Sequence, residues 1–368
     1  MLVCIRMTIR RRHDKCWRKC FIRYCAAIAS KSFPGTLEAM RHLPAAMACL
    51  LFVCLLPAAE LRPETQERWY RADANITLLG ITVFSRANVG GGFARVIETS
   101  AETGPSVRLL FISGSLPERA HGLNRMGYIE ESVSTGERGR AEYLGFMTAN
   151  GEENLADAKK ALHGPVGGEV EFVASRGEIG HTSAHDTVRH LSLPSSARWT
   201  DAPRLRGAVE ENLAQPGSGD GYADLSHGQH PGTFLYTLLS MARSPARVTD
   251  GSFVHNGKLF HLHAVKRPDA KAGAQLAVAH LISTPGDAME MAGVIRNEKT
   301  GAETTFRLWF DRASPCSLPL RFEFQPKSYL KLVFEAQPAM DPATVRAFAE
   351  PSPHATAASA ALRTAFRQ

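Results

Sequence analysis

The chain has 368 residues and a formal net charge of +7, with 44% hydrophobic and 21% charged residues, which is length enough for two domains or one large β unit. The charge is not spread evenly: nine Lys or Arg in residues 1–39 face only Asp14 and Glu38, whereas residues 60–368 carry 33 basic against 34 acidic side chains. A neutral folded part with no basic stripe excludes nucleic-acid binding.

Cys4, Cys16, Cys20, Cys25, Cys49 and Cys54 all precede residue 60, and only Cys316 follows. One thiol closes no internal disulfide, so the fold is expected to rest on its core. The stretch CWRKCFIRYC offers three thiolates but no fourth ligand at a zinc-ribbon spacing, and residues 1–39 read as a disordered leader or an overlong start, with Met40 as the true start. From Met40 onward Arg41 and His42 precede the apolar run AAMACLLFVCLLPAA, the plan of a signal peptide at 40–59 cleaved after Ala59. The run falls short of the roughly 20 apolar residues of a membrane span. Cys49 and Cys54 lack the context of a lipid attachment site. The expected product is a periplasmic or secreted protein with no stable transmembrane span after cleavage.

The mature chain begins with RWYRADANITLLGITVF, in which Tyr70, Ala72, Ala74, Ile76 and Leu78 share one face of an extended segment. Period two predicts a half-buried strand. SVRLLFISGS, YIEESVS and AEYLGFMTA repeat the pattern. NGEENLADAKKALHGP predicts a surface helix with Asn150 as its cap and Gly164 and Pro165 as its stop. RLRGAVEENLAQPG carries a short helix and leads into a Gly-rich stretch, residues 214–231, the best internal linker candidate. PGTFLYTLLSMARSP predicts a helix starting near Thr233 and ending before Pro245, apolar enough to plug an open end of a sheet. A second strand series follows: SFVHNGKLFHLHAVKR with a turn at Asn256 and Gly257, then AQLAVAHLIST, then MEMAGVIRNEKTGAETTFRLWFDR, then two last strands. Past Gln337 the Ala, Ser and Pro content rises and residues 338–368 read as a disordered tail. Residues 60–337 are expected to form a single β-rich domain.

Several constellations suggest chemistry. In GEIGHTSAHDTVRH, His181 and His185 are four apart and His190 is close by, a metal-site alternative that would support a metal-dependent hydrolase. The stretch lacks the acid of the helical zinc-protease motif, and strand or surface histidines are the competing reading. His255, His261 and His263 flank the Asn-Gly turn as a conceivable three-His site, against histidines hydrogen-bonded within a sheet. DGYADLSHGQH gathers Asp220, Asp224, His227 and His230 without the ligand order of a calcium hand. VGGGF, Val89 to Phe93, lacks the Lys-Ser/Thr of a phosphate loop and reads as a turn or bulge. No nucleophile elbow occurs, Cys316 has no activating neighbours in sequence, and no cofactor is implied.

The strongest signal lies near the end. Phe306, Leu308 and Phe310; Leu320, Phe322 and Phe324; and Leu330, Leu332 and Phe334 place nine large apolar side chains on one face of three consecutive strands, with Arg307, Arg321, Glu323, Lys331 and Glu335 on the other. At roughly 1.5–3 kcal/mol per fully buried large side chain, such a face does not stay in water. It either seals against the rest of the sheet or lines a cavity for an apolar ligand.

TFLYTLLSMARSPARVTDGSFVHNGKLFHLHAV followed by FRLWFDRASPCSLPLRFEF resembles a family of exported bacterial β-rich proteins of unknown function. Arg243 and Ser244, Gly257 and Lys258, Trp309, and Leu318 to Arg321 carry the resemblance. It implies an envelope location and a curved antiparallel sheet, and no catalytic residues. The expected fold is mainly β, a strongly curved antiparallel sheet or incomplete barrel with two or three peripheral helices. The expected function is a non-enzymatic envelope protein that binds or shields an apolar ligand such as a lipid chain; the alternatives are the metal-dependent hydrolase and a structural component that binds an envelope partner protein.

Overall fold

The computed structural model describes residues 64–78, 81–101, 104–120, 122–134, 139–148, 169–180, 183–215, 219–224, 232–256, 258–314, 318–327, 330–350 and 352–364. Fourteen strands dominate: β1 Glu64–Leu78, β2 Ile81–Ala101, β3 Gly104–Ser115, β4 Met126–Ser134, β5 Arg140–Thr148, β6 Glu169–Ile179, β7 Ser183–Pro194, β8 Gly219–Asp224, β9 Val248–His255, β10 Lys258–Pro268, β11 Ala288–Asn297, β12 Glu303–Asp311, β13 Arg321–Lys327 and β14 Leu330–Gln337. They form one sheet in the order β8-β7-β6-β5-β4-β3-β2-β1-β14-β13-β12-β11-β10-β9. Each half is a meander of antiparallel neighbours, and the first and last strands join the halves, with Tyr70 opposite Ala336 and Ala74 opposite Leu332.

The two outer strands, β8 and β9, are consecutive in the chain, and the sheet curls into a nearly closed barrel. Two hydrogen bonds tie β9 to Gly232, and a third reaches across to β5. Gly232 N–H donates to Ser252 O at 2.9 Å, Val254 N–H donates to Gly232 O at 3.2 Å, and Asn256 N–H donates to the Tyr143 hydroxyl of β5 at 2.9 Å. Val254 is buried beside Val133, Ala141, Ile179 and Ala184 of β4–β7.

The expected mainly-β, strongly curved antiparallel sheet is what the chain forms. Among the described residues there are five α-helices: α1 Ala202–Leu213, α2 Phe234–Arg243, α3 Ala270–Val278, α4 Pro342–Ala349 and α5 Pro353–Thr364. α2 is the interior one. Its Leu235 and Leu239 pack towards Tyr70, Leu109 and Phe334, while Phe234, Leu238 and Met241 pack towards Phe253, Leu262 and Phe306. A helix apolar on two sides has to be covered on two sides, and only the inside of a curved sheet offers that.

The other helices coat the outer face. α1 and α5 cover β3–β7 through Leu205, Val209, Ala358 and Leu362, with Trp199 buried beneath them. Gly114 is required here: a Cβ at that position would lie 2.3 Å from the Trp199 Cβ and 2.4 Å from Arg125 O. α3 lies over Trp309 and Leu320, capped by Asp269, whose carboxylate accepts from Ala272 N–H at 3.0 Å and from the Trp309 indole N–H at 3.0 Å.

Several local expectations change. Residues 274–284, read as a strand, are the end of α3 and the turn after it, because Ala272 and Leu276 meet Trp309 at helical spacing. The linker candidate 214–231 contains β8, which extends the sheet by pairing with β7. In place of a disordered tail, residues 338–368 carry α4 and α5; a stripe of Ala355, Ala358 and Leu362 is too sparse to announce itself by composition, yet all three are buried. The Val89–Phe93 stretch adjoins a bulge: the β1–β2 register shifts between Ala72 and Ala74, Asn88 adopts φ 55°, and its N–H donates to the Asp73 carboxylate at 2.7 Å. The helix candidate at residues 150–165 lies outside the described residues. No helix among the described residues is long and apolar enough to cross a membrane.

Candidate functional site

Alternation sends one side of every strand into the barrel. On β12–β14 the inward row Phe306–Phe324–Leu332 runs directly across three strands, beside the row Leu308–Phe322–Phe334. Phe306 and Phe334 are buried, whereas Leu308, Phe310, Phe322, Phe324, Leu330 and Leu332 are half-buried. Around Phe322 the rings touch: Phe334 stacks on it at 4.4 Å between centroids, and Tyr70 and Phe111 meet it edge-on at 5.2 and 5.6 Å. Eight of the nine apolar residues thus follow the strand alternation inward. Leu320 departs from them, since it precedes β13 and packs under α3 with Trp309.

The interior also holds charge that sequence reasoning missed. Glu131 of β4 is 1% exposed and accepts from the first free amides of α2, Leu235 N–H at 2.8 Å and Tyr236 N–H at 2.9 Å. At the other end of α2, the buried Lys266 of β10 donates to Met241 O at 3.1 Å and to Ser244 O. A carboxyl group at the N-terminus and an ammonium at the C-terminus satisfy the orphan groups of the helix. Burial pushes the Glu131 carboxyl up to about 7, against the downward pull of the α2 amides, and burial lowers the Lys266 ammonium. Glu131 follows Ile129 and precedes Val133 on the inward face, so an acid on an otherwise apolar alternation was the available signal.

A second buried polar group lies beside the first. Glu131, Tyr143, Gly177 and Asp186 stand directly opposite one another across β4–β7. Gly177 leaves the gap that the others fill: a Cβ there would come within 2.0 Å of Asp186 Oδ1 and 2.2 Å of the Tyr143 ring. Burial and the hydrogen-bonded Asp186 carboxylate raise the Tyr143 phenol. Its ring lies 5.2 Å from that of His255, whose imidazole burial pulls down to about 4, with Lys258 adding to the effect. The group ties the end of β9 to β5 across the opening of the sheet.

Of the histidines singled out in the sequence, the structure separates His185 from His190 and His255 from His261 and His263. His181 lies outside the described residues. His185 and His190 are five apart on β7, hence on opposite faces, and both are exposed. His255 faces inward with Phe253, while His261 and His263 face outward, where His263 Nδ1 is 2.7 Å from Asp250 Oδ1 and His261 Nε2 is 3.5 Å from Glu298 Oε1. No group of three His, Cys, Asp or Glu among the described residues has metal-site geometry. Cys316, His227 and His230 also lie outside the described residues.

Outside β10–β14 the charged row forms a ladder. The buried Glu290 sits between Arg267 and Arg307, each at 2.5 Å, and Glu323 takes Arg321 at 2.8 Å with Arg307 and Lys331 at 3.4 Å. Arg307 and Arg321 lie over the Trp309 ring at 4.6 and 5.2 Å. The ladder pairs the buried acids of this face beside the part that α3 covers.

No protein-family model and no curated protein matches the sequence. Among solved structures, the chain is similar to the crystal structure of a β-barrel-like protein of a domain of unknown function, DUF1849, from Brucella abortus, with a TM-score of 0.36 and 6% identity, over 73% of this chain and 95% of that one.

Proposed function

We propose that the protein is an exported, non-enzymatic envelope protein that holds or shields an apolar group, such as a lipid chain, inside its curved sheet. One observation carries the reading: Phe322, Phe324, Leu330 and Leu332 face inward yet stay half-buried, while Phe306 and Phe334 in the same rows are sealed. Partly open apolar surface on a concave face favours an apolar occupant at about 25 cal/mol per Å² covered. The signal-peptide pattern of residues 40–59 supports the exported location.

Protein recovered from envelope fractions is extracted with organic solvent and the extract identified by mass spectrometry, alongside titration with a hydrophobic dye. A co-purifying acyl species that displaces the dye is the expected result. Repeated recovery of empty protein with no displaceable dye would refute the reading.

A further inference from the structure

A groove of about 260 Å³ opens at the barrel end where β1 begins and β14 finishes. Arg68 and Trp69 of β1, Ala336 of β14, Leu320, and His280 and Leu281 after α3 line it, with Glu67 at its edge. The floor is apolar, since Leu320 and Ala336 are buried, and the Trp69 ring is braced by Phe93 at 4.6 Å and Phe348 at 5.1 Å. The acid is already neutralised, because the Glu67 carboxylate lies 2.7 Å from Arg95 Nε. The Arg68 side chain and His280 stand beside this apolar floor.

His280 adds a second observation. α3 ends with His280 N–H donating to Ala277 O at 3.0 Å and Leu281 N–H donating to Leu276 O at 2.9 Å. That closing turn puts His280 at φ 57°, a conformation that glycine adopts at no steric cost and other residues adopt under strain. An exposed imidazole is thus held on the groove rim by a backbone that would favour glycine. Strained positions of this kind gather at ligand sites.

We propose that this groove binds a small amphipathic carboxylate, its anionic end at Arg68 and His280 and its aliphatic body against Trp69, Leu281, Leu320 and Ala336. The groove lies just below the usual size of small-molecule pockets, about 300–1,000 Å³, and so suits a small ligand. Arg68 already interacts within the molecule, and its five donors serve an internal partner and a ligand together. The proposal does not depend on an occupant of the barrel interior.

Octanoate and 1-octanol serve as probes in calorimetric titrations of the intact protein. Octanoate binds with Kd of about 1 mM or tighter, and octanol at least about 10-fold more weakly, as expected when a charge-assisted contact is lost. Arg68→Gln weakens octanoate at least about 10-fold while the hydrophobic dye of the interior still binds. His280→Gly weakens octanoate about 3-fold or more without lowering the melting temperature, because the substitution relieves the backbone. Should Arg68→Gln fail to fold, His280→Gly decides. Absence of saturable octanoate binding, equal affinity for octanol, or unchanged affinity in His280→Gly would each overturn the proposal, and none of these results bears on the interior ligand.

Discussion

Glu131→Gln keeps the shape of the side chain and a carbonyl oxygen for the α2 amides while removing its titration. The carboxyl is raised from 4.5 to about 7 in the folded chain, and at about 1.4 kcal/mol per tenfold change in proton affinity this difference is worth about 3 kcal/mol. Because the folded value lies above the unfolded one, folding favours the protonated acid. The stabilisation is therefore complete below pH 4.5 and lost as pH rises through about 7. The assay is urea unfolding followed by tryptophan fluorescence, for wild type and variant, between about pH 4.5 and pH 8. Wild type loses about 3 kcal/mol more than the variant across that range, so their stability difference moves in favour of Gln by that amount. A difference constant to within about 0.5 kcal/mol would mean that the carboxyl does not sit dry at the head of α2.

Three further outcomes follow from the packing. Lys266→Met leaves the Met241 and Ser244 carbonyls without their ammonium donor and lowers stability by about 1–3 kcal/mol in chemical denaturation. Tyr143→Phe removes the acceptor of Asn256 N–H, costing about 1–2 kcal/mol and speeding hydrogen exchange at that amide in particular. Gly114→Ala forces a methyl to 2.3 Å from Trp199 and costs about 1–3 kcal/mol, read as a lower melting temperature with altered tryptophan fluorescence.

The strands were legible where one face is apolar over a long run. Phe306, Leu308 and Phe310 alternate with Thr305, Arg307 and Trp309, and that local period decides which side turns in. α2 was legible because its apolar residues exceed one face and Thr233 and Pro245 bracket it. AQLAVAH reads as a strand because Ala274, Leu276 and Val278 recur at period two, whereas the deciding contacts, Asp269 to Trp309 and Leu276 to Leu320, join segments far apart in the chain. Glu131, Asp186 and Lys266 share another reason. Each is a charged residue on an inward alternation, between Ile129 and Val133, Ala184 and Val188, and Ala264 and Pro268, but its partner lies tens of residues away and leaves no local trace. His185 and His190, and His255 with His261 and His263, differ in the opposite sense, since proximity in sequence ignores the flip of successive strand residues from one side to the other.

The pairing of β1 with β14 governs the order in which the molecule is assembled. Each meander joins neighbours in sequence and closes short loops, but Tyr70 finds Ala336 only across 266 residues, and such distant pairings are slow to form. A growing chain therefore carries β1 with one side bare until the last strand is made. A bare rim of this kind is an invitation to other chains, so release of the C-terminal strand is the event that ends the vulnerable interval.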